Sequence, residues 1–277
     1  MAEIVGGFLL PHDPLIFQAS DAAPAAQRDR VFGAYAHIRD RIAALSADTA
    51  IVVGADHYIL FGPQCLPSFL IATGDLDGPV ERLPGFDRAP VAAHPILARH
   101  LFDSGRAQGF DWACAKAMTL DHSIMIPHKL CIEPHAGMRT IPVYLASGVA
   151  PLIAKRRALS LGEMIGRAVH DFPGDERVVV IGSGGISHWV GMAEMGRVNE
   201  DFDRRLLDML VNGDCEAIAD LEDDAIVAEG GNGALEVRNF LCAMGAIGHG
   251  LQGEVIAYEA VPQWITGLGF VELKRAA

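Results

Sequence analysis

Two rhythms of apolar residues alternate along this chain. Short, unbroken β-branched runs read as buried strands at Val5–Leu10, Thr49–Gly54, Pro67–Ala72 and Arg139–Ala146, and again at Val178-Val179-Val180-Ile181. Between them, Arg28–Leu45 spaces Val31, Tyr35, Ile38, Ile42 and Leu45 on one helical face, and Pro95–Ser104 and Leu159–His170 read as further helices. Later, Val198, Phe202, Leu206, Met209 and Leu210 form one apolar stripe, and Val237, Phe240, Leu241 and Met244 another. Glu254–Tyr258 adds a closing strand. The pattern predicts an α/β fold: a single domain over 1–277 whose central, mostly parallel or mixed sheet is flanked by helices and followed by a helical C-terminal region.

Composition narrows what such a fold does. Of 277 residues, 51% are hydrophobic and 21% charged, which suits a compact globular chain rather than a disordered one. A net charge of −13 argues against nucleic acid and anionic membrane surfaces as partners. The apolar stretch Ile4–Leu10 is short and lacks a basic leader, and Tyr58–Gly74 is interrupted by proline, glycine and glutamine, so neither a signal peptide nor a membrane span is expected. The five cysteines are scattered without a CxxC pair, which supports neither a disulfide framework nor a zinc knuckle. A cytoplasmic location and, from the high apolar content, a homo-oligomer are the expectations.

The candidate chemistry lies where strands end. His188 closes Gly182-Ser183-Gly184-Gly185-Ile186-Ser187-His188 after a buried run, at the carboxyl edge where open α/β sheets keep their ligands. Imidazole transfers protons near neutral pH. His12 follows the first strand between Pro11 and Pro14, and His57 follows Ile51-Val52-Val53-Gly54-Ala55-Asp56, where Asp56 could orient it. Two strand-end histidines facing one crevice make a metal site plausible. Glu236 sits after Gly230-Gly231-Asn232-Gly233, with Asn232 as an N-cap and the glutamate in the first turn of the next helix. Taken alone it is best read as an ordinary first-turn glutamate interacting with the helix dipole, although a carboxylate beside an apolar face needs a partner and a divalent cation is one. His122 and His128 flank Ser123–Pro127, and Asp121 offers an acceptor to the His122 ring. The glycine turn at 182–185 misses the dinucleotide fingerprint, and no G-x-S-x-G elbow occurs there.

These segments together resemble the class III extradiol ring-cleavage dioxygenases, the family of the protocatechuate 4,5-dioxygenase catalytic subunit and of 2,3-dihydroxyphenylpropionate 1,2-dioxygenase. The similarity spans nearly the whole chain in family order. It runs through His12-Asp13-Pro14, Asp56-His57-Tyr58, Asp121-His122 to Pro127, Gly182 to His188, Gly231-Asn232 to Glu236, and Pro262 to Gly269. Pro11 stands where a serine often precedes the first histidine, and the segment from His188 to Asn199 is shorter than in the dihydroxyphenylpropionate enzymes. Both departures bear on the rim of the site and on substrate identity.

The resemblance implies Fe(II) bound by His12, His57 and Glu236, with His188 and His122 handling protons. It also implies a catecholic substrate and O₂ as reaction partners, and in some relatives a separate small subunit. Two histidines and a carboxylate leave three positions of an octahedral ion open, as non-haem Fe(II) oxygenases require. Fe²⁺, one glutamate and a singly deprotonated catechol sum to zero charge, which a dry pocket tolerates. His188 then suits the phenolic proton and His122 the later acid–base step. The expected product is a ring opened beside the diol, as in aromatic catabolism. The same His/His/Glu ligands also suit a zinc hydrolase or lyase, and a non-catalytic metal-binding relative is a third reading. Substrates of this family often carry a carboxylate, for which Lys116, Lys129 and Arg238 are candidate partners.

Overall fold

A computed structural model describes residues 1–275. Among these, nine strands form one mixed sheet: β1 (Glu3–Leu10), β2 (Thr49–Ala55), β3 (Phe69–Gly78), β4 (Ala89–Val91), β5 (Ala113–Thr119), β6 (Arg139–Leu145), β7 (Arg177–Ser183), β8 (Leu251–Val261) and β9 (Thr266–Arg275). Their order is β4-β3-β6-β2-β7-β1-β9-β8, with β5 beside β3. The middle strands β6, β2, β7 and β1 run parallel. Antiparallel pairings flank them, β3 with β6 and β4 on one side, and β9 with β1 and β8 on the other. β2 is buried at every position, which requires cover on both faces and explains its continuous apolar run.

The helices supply that cover. In chain order they are α1 (Leu15–Gln18), α2 (Ala25–Ala44), α3 (Pro95–Ala107), α4 (His122–Pro127), α5 (Lys155–Asp171), α6 (Glu200–Val211), α7 (Cys215–Asp220), α8 (Asp223–Gly230) and α9 (Val237–Ile247). Alternate residues of each strand meet opposite layers, as a period of two dictates. Val178 and Val180 of β7 join Ile51, Val53, Leu101, Ile165, Phe202 and Leu241 in one core; Val179 and Ile181 join Phe8, Val52, Tyr35, Ile38 and Ile124 in the other. Where α5 crosses α9, glycines let the backbones touch. A Cβ on Gly162 would lie 2.0 Å from the Cys242 carbonyl oxygen, and one on Gly245 2.5 Å from that of Leu159. No helix among the described residues is long and apolar enough to cross a membrane.

One expectation fails. The C-terminal region is not helical to its end: after α9 the chain closes in the hairpin β8–β9, which supplies the sheet's far edge. Glu254–Tyr258 is the middle of β8, whereas β9 is absent from the sequence pattern. Its glycines hide it, and they are there because neighbours press on the strand. A Cβ on Gly267 would meet Asp203 Oδ2 at 1.9 Å, and one on Gly269 would meet Ile186 at 2.5 Å. The stripes at 198–210 and 237–244 are helical as the spacing predicts, in α6 and α9.

Candidate metal centre

β1, β2 and β7 lie side by side and parallel, so their carboxyl ends open onto one edge. His12 stands two residues past β1, His57 two past β2, and Ser183 ends β7. Glu236 enters from the last residue of a 3₁₀ turn, Gly233–Glu236, that leads into α9. Its Oε1 lies 2.9 Å from His57 Nε2 and 3.3 Å from His12 Nε2. Cis ligands on an ion with bonds of about 2.1 Å stand about 3 Å apart, so this spacing fits a facial metal site. His122 also belongs to the cluster: His12, His57 and His122 each offer a ring nitrogen within 4.8 Å of the others.

Hydrogen bonds fix which lone pairs face inward. The Ser183 hydroxyl donates to the Ser123 carbonyl at 2.7 Å, so its oxygen accepts from His12 Nδ1–H at 2.9 Å. With Nδ1 as the donor to Ser183, Nε2 is the His12 nitrogen that points at the Glu236 carboxylate oxygen inside the protein. A buried nitrogen and carboxylate at this spacing need a proton or a metal ion between them, and the geometry offers the same place to either. Glu236 is almost fully buried, and its Oε2 accepts from the Gly185 N–H at 3.0 Å. Burial alone would raise its pKa; the His12 and His57 rings reverse this and hold it well below the usual carboxylate range.

His57 is oriented from behind. Its Nδ1 faces Asp121 Oδ2 at 3.6 Å, an ion-pair distance rather than a hydrogen bond, and neither atom has another partner. Burial pushes the ring's pKa down, but the Asp121 and Glu236 carboxylates outweigh it and raise it. Asp121 is itself held by Tyr144 Oη at 3.0 Å and Ser123 Oγ at 2.7 Å. A carboxylate behind a ligating histidine is the usual outer support of a metal site. The sequence had paired Asp121 with its neighbour His122; in the fold it serves His57. Asp56 likewise turns away from the His57 ring and caps the following loop, accepting from the backbone of Ile59, Leu60 and Phe61.

His188 lies five residues beyond β7. Its Nδ1–H donates to the Ile186 carbonyl at 3.1 Å, so Nε2 carries the free lone pair, 4.0 Å from Glu236 Oε2. Burial lowers its pKa, against the pull of Glu236, so the ring is neutral and ready to accept a proton at pH 7. Its loop is clasped to the Glu236 turn. The His188 N–H donates to the Gly230 carbonyl, and the His188 carbonyl accepts from the Gly233 N–H. Asn232 completes the clasp with both side-chain atoms on the Val190 backbone, instead of capping a helix. Gly233 leaves room for the ring: a Cβ there would sit 2.0 Å from His188 Nε2.

His122 opens α4. Its Nδ1 contacts Glu81 Oε1 at 2.5 Å, and the same oxygen accepts from its backbone N–H at 3.2 Å. Glu81 and Ser183 are the site residues that sequence reasoning missed. Glu81 lies in an irregular segment after β3 with no motif to flag it, and Ser183 was visible only as part of a glycine-rich turn. The three suggested carboxylate partners are not brought to the site. Lys129 pairs with Glu133 on the surface, and Lys116 is exposed on β5. Arg238 is buried against Asp223 and the carbonyls of Ile153 and Leu235. The loops after His57 and His188 instead expose apolar side chains, among them Tyr58, Val190 and Met195.

Comparison with known proteins bears on this site. The sequence matches the family described as the catalytic LigB subunit of aromatic ring-opening dioxygenase over residues 6–269. It is 29% identical to a 2,3-dihydroxyphenylpropionate/2,3-dihydroxicinnamic acid 1,2-dioxygenase of Cupriavidus necator, with 97% of each chain covered. A namesake from Burkholderia vietnamiensis is 30% identical, covering 92% of this chain and 93% of its own. In fold, the chain is similar to the crystal structure of the uncharacterized protein JW3007 of Escherichia coli K12. That likeness has a TM-score of 0.62 at 13% identity and covers 96% and 98% of the two chains.

Proposed function

Because this chain belongs to the LigB family of aromatic ring-opening dioxygenase catalytic subunits, we propose that it cleaves a catecholic ring beside the diol with O₂, using Fe(II) held by His12, His57 and Glu236. The whole chain, 1–277, acts as one catalytic domain. The observation that carries this reading is the convergence of two histidine ring nitrogens on one buried carboxylate oxygen, at 3.3 and 2.9 Å. Bound there, Fe(II) would supply a meeting point for catechol and dioxygen and a path for electron density between them.

The chain's own residues do the rest. Ser183 and Asp121 hold His12 and His57 from behind, so the inward nitrogens are presented without reorganisation. A catechol has to lose a phenolic proton as it binds, and His188 Nε2 is the lone pair available to take it. His122, with its ring 4.5 Å from that of His57 and 5.4 Å from that of His12, returns or holds a proton as the ring opens.

A second reading has its own observation. The ring nitrogens of His12, His57 and His122 cluster within 4.8 Å, and three histidines suit a zinc hydrolase or lyase. Glu236 favours the first reading, since a buried carboxylate this close to two of the rings belongs to the same cation. Turnover of a catechol panel in ¹⁸O₂ and in H₂¹⁸O separates them. The dioxygenase incorporates both atoms of O₂ and stops under argon; a hydrolase works equally well without oxygen and carries label from water alone. Alanine at His12, His57 or Glu236 should each remove the iron, whereas His122→Ala and His188→Ala should retain it. Iron lost from His122→Ala but kept by Glu236→Ala would establish the three-histidine site instead.

A further inference from the structure

We propose that Glu81 is a positioning residue: it locks the His122 ring in the tautomer and orientation that the ring-opening site uses. This rests on the proposed function for its consequence in turnover, though not for its geometry. Glu81 comes from the irregular segment between β3 and β4, apart from every strand end that builds the site. One of its oxygens, Oε1, receives both the backbone N–H and the ring Nδ1 of His122. A carboxylate only accepts, so in the neutral ring the hydrogen is held on Nδ1 and the lone pair on Nε2 is left for the site. Two contacts from one oxygen to main chain and ring of the same residue set the ring's rotation as well as its tautomer.

No neighbour duplicates this. Asp121, adjacent in sequence, has Oδ1 committed to Tyr144 and Ser123 and Oδ2 facing His57. The His122 ring lies 4.5 Å from that of His57 and 5.4 Å from that of His12, centroid to centroid. Released from Glu81, it would be free to turn either nitrogen inward, and half of those states present N–H where a lone pair is needed.

The test uses the full-length protein in two forms. In metal-free, ¹⁵N-histidine-labelled protein, with the His122 signals assigned from their loss in His122→Ala, the wild type should show a single Nδ1–H tautomer. Glu81→Ala should move both ring nitrogens toward an average of the two tautomers. In the Fe(II)-loaded form, Glu81→Ala should lower kcat by about 10²-fold, the scale of an ångström-sized misplacement, with KM and iron content nearly unchanged. Glu81→Gln should recover most of kcat, because its amide oxygen still accepts from both groups. Glu81→Met, similar in volume but without an acceptor, should behave as alanine does if the alanine variant folds poorly. In the His122→Ala background, Glu81→Ala should add no further loss. A tautomer unchanged by Glu81→Ala and Glu81→Met, or a loss that adds in full to that of His122→Ala, overturns the proposal. If no catechol is opened by the wild type, the function fails while the tautomer measurement still decides on Glu81.

Discussion

Gly233→Ala should slow the proposed ring opening without removing any polar group. The added Cβ would sit 2.0 Å from Nε2, 2.2 Å from Cδ2 and 2.4 Å from Cε1 of His188. Heavy atoms in contact settle at about 3.5–4.0 Å, so the ring has to retreat by about 1.5 Å. Because the obstruction is the far end of a side chain and Gly233 has no left-handed backbone, the turn can keep its path and the ring yields. Displacements of about 1 Å at a reacting group cost about 10²-fold in rate, or about 2.7 kcal/mol of transition-state stabilisation. That approaches the lower end of the 10²–10⁴-fold that a positioned acid–base group supplies, so Gly233→Ala should resemble a mild His188→Ala. The assay is oxygen uptake with a cleaved catechol, alongside iron content and a thermal melt, in single and double variants with His188→Ala. Iron and melting temperature should match the wild type, and Gly233→Ala should cost nothing further once His188 is gone. A single variant with kcat within threefold of the wild type and full iron would refute the reasoning, since the ring would then not act from where it lies.

Three further outcomes follow from the packing and the buried charges. Gly162→Ala should lower stability by at least 1–3 kcal/mol, because its Cβ would lie 2.0 Å from a backbone oxygen of α9 that no rotamer change can move. Gly33→Ala on α2, with nothing within 4 Å, should raise stability by up to about 1 kcal/mol in the same thermal melts. Asp203 should oppose the usual acid lability of proteins. Burial lifts its carboxyl to about 6 despite the hydrogen bonds from Tyr258 and Ser187. A folded-state value above the unfolded one near 3.8 means that the native protein binds the extra proton between them. Stability from this group is therefore present below pH 3.8 and is lost as pH rises through 6, by up to about 3 kcal/mol. Urea unfolding of metal-free protein should show the wild type losing stability relative to Asp203→Asn between pH 4 and 7; a constant difference refutes it.

Much of the fold was legible because burial on two faces leaves little freedom in sequence. β2 and β7 read as unbroken apolar runs, and α2, α6 and α9 show their stripes. β9 was illegible for a packing reason: Gly267 and Gly269 stand where Asp203 and Ile186 leave no room for a side chain, so the strand carries the composition of a loop. The same split runs through the site. His12, His57 and His188 announce themselves by standing after strands, and the fold brings them together with Glu236. Glu81, Ser183 and the true partner of Asp121 could not be read, since each acts on a residue between 41 and 171 positions away or across a strand end. Spacing along a chain reports on one element; it says nothing about which loop another element will meet.

The place of β1 in the sheet sets the order in which this centre can come into being. Residues 3–10 are made before both of their neighbours in the sheet, for they lie between β7, which begins at Arg177, and β9, which ends at Arg275. At roughly 5–20 residues per second, a ribosome needs roughly ten to thirty seconds to deliver the first neighbour, and still longer for the second. Until then His12 has no Ser183 to set its ring and no Glu236 to face. Any metal capture at this cluster thereby waits until β7 and the Glu236 turn have both been made, and a bound ion would report that segments far apart in synthesis have found each other.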